Sequence, residues 1–137
     1  MGGSTTSAPE RTSSTSRSSF GRTRCRSQTE RSASAFDAGL ELIRRGEYFA
    51  AHEELELAWR AAAPEERDFF QGLVHVAVAW YQAGRGRPVA TERQLAKAIR
   101  RLDSYAPTHR GVELVPLLTQ LRELEGRGSL ELPPPAL

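Results

Sequence analysis

Five consecutive residues, His52-Glu53-Glu54-Leu55-Glu56, concentrate more reactive chemistry than any other stretch of the chain. They spell His-Glu-x-x-Glu, one residue removed from the His-Glu-x-x-His of zinc proteases. There, two ligands four apart on a helix project onto one metal and the intervening Glu acts as base. A carboxylate can replace the second imidazole as a ligand. On this reading His52 and Glu56 are metal ligands, Glu53 is the general base and His75 is the third ligand. A divalent metal is the cofactor such a donor set would take, and a hydrolase is the enzyme it would make. Against it, Glu53 lies about 100° around the helix from His52, and a short motif with a substitution is a weak signal. The competing reading takes precedence: His52 and Glu56 satisfy each other, with backbone groups or Gln71, inside a helical bundle. A buried polar group left unpaired costs roughly 1–3 kcal/mol, so such residues come in partnered sets. A buried network of this kind would set helix register in a non-enzymatic protein, for example an interaction module.

The elements that must hold these residues follow from hydrophobic spacing. At about 100° per residue, Tyr48, Phe49, His52, Leu55, Glu56 and Trp59 fall within roughly 100° of arc, which predicts one helix from 47 to about 62. Its aromatic face surrounds the polar pair, and Tyr48 and Trp59 read as core. Ser34 and Asp37 have capping-box spacing ahead of Phe36, Leu40 and Ile43, so a first helix is expected from 35 to 45, closed by Gly46. Pro64-Glu65-Glu66 starts a third helix to about Ala83, antiparallel to the second because the turn is short. That helix is apolar over about 200° and should be central. Its polar seam of Asp68, Gln71, His75 and Gln82 is expected to face helix two and complete a pocket, with a solvent-facing seam as the alternative. Gly72, costly in mid-helix, marks where another helix crosses.

After Gly84-Arg85-Gly86-Arg87-Pro88 comes the cleanest stripe, Leu95, Ala98, Ile99, Leu102 and Tyr105, which must end near Pro107. Its outer face, Arg93, Lys97, Arg100 and Arg101, reads as a solvated surface, with an anion or RNA partner as the alternative. His109 reads as surface. A fifth stripe, Leu114, Leu117, Leu118, Leu121 and Leu124, accommodates Pro116 in its first turn. No strand is expected. Leucine and alanine recur at a spacing of 40 residues (Leu55 and Ala58, then Leu95 and Ala98). The fold class is therefore all-α: a compact bundle of five helices arranged as two stacked antiparallel hairpins plus a C-terminal helix, over residues 35–125.

Residues 1–34 are rich in Ser, Thr and Arg without a hydrophobic period and are expected to be disordered; 126–137 form an extended Pro-rich tail. The chain carries a formal charge of +2. Six Arg against Glu10 and Glu30 put +4 of this in residues 1–34, so the remainder is mildly acidic at −2. The basic excess thus sits in the tail and says little about the helical domain, for which a nucleic-acid partner is not expected. Cys25 alone cannot form a disulfide or a cysteine zinc site within one chain, which suits a reducing compartment. The absence of a membrane span or a secretory h-region points to a cytoplasmic protein, with an organelle transit peptide as the alternative reading of the tail. A homo-oligomer stays open.

The run Gly46-Glu47-Tyr48-Phe49-Ala50-Ala51-His52-Glu53-Glu54-Leu55-Glu56-Leu57-Ala58-Trp59, followed by Phe70-Gln71-Gly72-Leu73-Val74-His75-Val76-Ala77, resembles the domain of unknown function 309 family. The likeness spans residues 36 to 124. It implies a small all-helical protein of bacteria, archaea and plastid-bearing eukaryotes with no established activity, some relatives being described as metal-dependent hydrolases. Carried over by this resemblance, the family's recurring polar positions fall on His52, Glu53, Glu56, Trp59 and Gln71. Family members often have His where this chain has Gln82, which leaves fewer imidazoles for a metal. Plant relatives have transit peptides.

Overall fold

The computed structural model describes residues 30–137. Among these residues five α-helices follow one another: α1, described over residues 30–44, α2 Tyr48–Arg60, α3 Arg67–Gly84, α4 Pro88–Leu102 and α5 Leu114–Leu124. Single 3-10 turns, Pro64–Glu66 and Asp103–Tyr105, lead into α3 and out of α4. The expected compact helical bundle is what forms. No helix among the described residues is long and apolar enough to cross a membrane.

The central helix is α3, packed against α2 on one side and α4 on the other, with ten of its residues buried. Pairing of Tyr48 with Trp80 at one end and of Trp59 with Arg67 at the other shows that α2 and α3 run antiparallel, as the short turn requires. Small residues decide how closely the helices approach. A Cβ on Gly39 of α1 would stand 2.6 Å from Cγ of Leu55, and one on Gly72 of α3 would stand 2.6 Å from Cγ of Leu102. Gly72 thus marks a helix crossing, and the crossing partner is α4.

Three local departures from expectation have physical causes. The first helix is already formed at residue 30, five positions before the expected start at Ala35. Ser34, read as its cap, is exposed within it, whereas Ser32 is buried and donates a hydrogen bond to the carbonyl of Ala58. Where no strand was expected, Thr108–His109 and Val112–Glu113 pair as a minimal antiparallel hairpin. Its two-residue turn has positive φ at both positions, 49° at Arg110 and 79° at Gly111, the geometry that matches strand twist.

His109, read as surface, is held inside that corner. Its ring lies 4.6 Å from Phe69, and Nε2 is 2.9 Å from a carboxylate oxygen of Glu66. Arg110 reaches the same carboxylate and lies over Phe36 and Phe70, which fixes its left-handed backbone. Beyond α5, residues 126–137 lack regular structure but return across the bundle. Trp80 donates its indole N–H to the carbonyl of Pro133 at 2.9 Å, and Gln120 bridges Pro134 and Ala136. The residues 1–29 of the expected disordered segment lie outside the described part of the chain.

Candidate functional site

On α2 the buried stripe is Ala51, Leu55 and Ala58, and not the aromatic arc read from the sequence. Two of the three are alanines, which let α2 lie close against its neighbours and turn Phe49, His52, Glu56 and Trp59 onto the flank. His52 and Glu56 are neighbours there: Nε2 of His52 lies 3.5 Å from the Glu56 carboxylate, whose other oxygen is 3.7 Å from Arg60. Their side chains are 23% and 39% exposed, so the pair sits at the rim and not in the interior. This corrects the expectation of a buried register-setting network. Two residues on one helix cannot set the register between helices. That task falls to the contacts that cross from α2 to α3: Tyr48 with Trp80, and Phe49 with Tyr81 at 5.2 Å.

The remaining residues of the motif diverge. Glu53 is exposed. Trp59 is half-buried under the Arg67 guanidinium, 4.5 Å above its ring. Gln71 and His75 are carried to the opposite flank of α3, where His75 Nδ1 is 2.7 Å from Oε1 of Gln94 on α4. The polar seam of α3 therefore faces α4, where helix two was expected. Because Gln94 offers a carbonyl oxygen, the hydrogen on Nδ1 is the donor and Nε2 holds the lone pair of the neutral ring. Burial lowers the pKa of His75, and Lys97, Arg101 and Arg100 lower it further against the opposing effect of the Gln94 hydrogen bond.

A catalytic zinc takes three protein ligands. His52 and Glu56 supply two, His75 does not join them, and no group of three or more His, Cys, Asp or Glu among the described residues is placed to hold a metal. The donor set does not fit that metal site. Among the described residues two side-chain polar atoms are buried without a hydrogen-bond partner, His52 Nδ1 and Gln82 Oε1.

The model of a family described as "Domain of unknown function (DUF309)" matches residues 36–93, from the buried Phe36 of α1 to Arg93 within α4. Over residues 36–93 the chain is similar to that family. The DUF309 segment thus contains the α2 motif together with Asp68, Gln71 and His75, but stops short of Lys97, Arg100 and Arg101. No curated protein and no solved structure matches the chain.

What the sequence did not signal is the α3–α4 cleft as a site. Asp68, Gln71 and His75 line it from α3 and Lys97, Arg100 and Arg101 from α4. The signal was present in pieces, as a polar seam on one helix, a basic stripe on the next and a glycine between them. Nothing in either periodicity says that the two surfaces meet.

Proposed function

We propose that the protein is a non-catalytic helical binding module. In this reading the His-Glu motif of α2 is a structural ladder along one helix, and the α3–α4 cleft is the surface open to a ligand. One observation supports it above all: the motif residues do not converge on a point where a reacting atom could sit. His52, Glu56 and Arg60 form an i, i+4, i+8 series on one flank, while His75 is engaged by Gln94 on another. Catalysis by a bound metal or by a general base requires groups within hydrogen-bond reach of one substrate atom. Cytoplasmic residence suits this module, whose one cysteine is Cys25.

The test is metal content. Elemental analysis of protein purified without chelator, followed by calorimetric titration with zinc and manganese, is expected to give no stoichiometric uptake. Stoichiometric metal that disappears in His52→Ala, with the helical circular dichroism unchanged, would overturn the proposal. It would favour instead the alternative reading, a metal-dependent hydrolase with His52, Glu56 and His75 as ligands and Glu53 as base.

A further inference from the structure

The cleft between α3 and α4 has a volume of about 450 Å³, within the range of small-molecule sites. Its six lining residues, Asp68, Gln71, His75, Lys97, Arg100 and Arg101, are all polar or charged, and none is Phe, Tyr or Trp. Asp68 and Arg101 close one end with an ion pair of 2.7 Å. Lys97 and Arg100 have no carboxylate partner among the described residues. Three cations against one carboxylate leave a net charge of +2 when His75 is neutral. Gly72 brings α4 in so closely that a Cβ there would lie 3.2 Å from Cβ of Arg101, so the basic face of α4 overhangs the polar seam of α3.

We propose that this cleft binds a small phosphate monoester with a hydroxylated body, of the sugar-phosphate kind. A phosphate monoester carries about −1.5 to −2 at pH 7 and three acceptor oxygens, which matches two unpaired cations and a third held by Asp68. Gln71 and His75 line the same cleft, and the amide of one and Nε2 of the other offer hydrogen bonds to hydroxyl groups. Nε2 accepts in the neutral ring and becomes a donor when the ring is protonated. A polynucleotide fits less well, because the cleft has no aromatic platform on which a base could stack. The assignment rests on the binding-module reading and gives it a ligand class.

The test uses the whole chain. Ribose 5-phosphate is titrated while the His75 imidazole is followed by proton–nitrogen NMR and the ester by phosphorus NMR. Saturable one-site binding is expected, weakened about tenfold or more in Lys97→Gln and in Arg100→Gln, as loss of a charged hydrogen bond implies. Arg93→Gln, which removes the same charge from α4 outside the cleft, should leave it within twofold. Sulfate, dianionic throughout, should bind more tightly at pH 5.5 than at pH 7.5 in the natural chain and not in His75→Gln, where only Asp68, Lys97, Arg100 and Arg101 face the site with charge. Absence of saturable binding at millimolar ester, or equal weakening in Arg93→Gln, overturns the proposal. Inorganic phosphate binding as tightly as the ester overturns the hydroxylated body. An RNA oligonucleotide that displaces the ester overturns the small ligand. Release of inorganic phosphate from the ester would leave the cleft standing and refute the non-catalytic reading, so the two fail separately.

Discussion

Replacing Gly72 by alanine should destabilise the protein, although the same change in an open helix would stabilise it by about 1 kcal/mol. The added Cβ would stand 2.6 Å from Cγ and Cδ2 of Leu102 and 3.2 Å from Cβ of Arg101. Carbon atoms settle at about 3.5–4.0 Å, so roughly 1 Å must be found. Leu102 is fully buried and the contact falls on its branch point as well as a methyl, so a change of rotamer alone does not release it. Overpacking of this kind costs about 1–3 kcal/mol. Less the propensity gain, a net loss of about 1 kcal/mol follows, with a fall in Tm of about 4–8 °C. Urea denaturation of the natural chain, Gly72→Ala, Leu102→Ala and the double variant measures it. Leu102→Ala alone should cost about 2–5 kcal/mol, and the double variant should cost about 1 kcal/mol or more less than the sum, because the smaller side chain vacates the contested space. A stabilised Gly72→Ala, or strict additivity, would refute the close crossing of α3 and α4.

Three further outcomes follow from other contacts. Removing the His52–Glu56 pair by His52→Ala should change stability by no more than about 0.5 kcal/mol, since partly exposed i, i+4 pairs are worth that little; a loss above 2 kcal/mol in denaturant unfolding would show a buried network after all. Trp80→Phe, which deletes the indole donor to Pro133 and keeps most of the buried ring, should cost about 1 kcal/mol. It should also speed amide exchange of Leu137, whose N–H bonds to Pro135; unchanged exchange there would mean that the tail is held without that bond. His75 ionises less readily folded than unfolded, where the ordinary value is 6.5. The unfolded chain therefore takes up this proton first as pH falls, and His75 lowers stability below about pH 6.5 without affecting it above. The difference in stability between the natural chain and His75→Gln should change in that window and be flat from pH 7 to 9.

The helices themselves were legible because each has one dominant period. In α4, Leu95, Ala98 and Leu102 are buried as their spacing requires, and α5 buries all five expected leucines. The orientation of α2 was not, since the large aromatic side chains suggested the inner face while the closest packing belongs to Ala51 and Ala58. Burial of a residue the size of alanine carries almost no hydrophobic signal of its own, and its value lies in what it permits the neighbour to do. The partner of His75 was illegible for a different reason. A helix apolar over more than half its circumference has neighbours on several sides, and the sequence of α3 does not say which of them meets the polar remainder. His109 escaped notice because two-residue strands have no period and its partners, Glu66 and Phe69, lie 43 and 40 residues away.

The return of residues 126–137 over the bundle makes that segment a tethered peptide ligand of its own domain. Its polar anchors are separate: the Trp80 indole, the Gln120 amide, the Arg44 guanidinium that donates to the carbonyl of Leu137, and the Glu92 carboxylate that accepts from the backbone N–H groups of Gly126 and Gly128. Each would be a weak grip for a free peptide. Connection through α5 supplies an effective concentration in the millimolar range, so modest contacts suffice to keep the segment seated. A detached copy of the same sequence would have to reach comparable concentrations to compete for the Trp80 face.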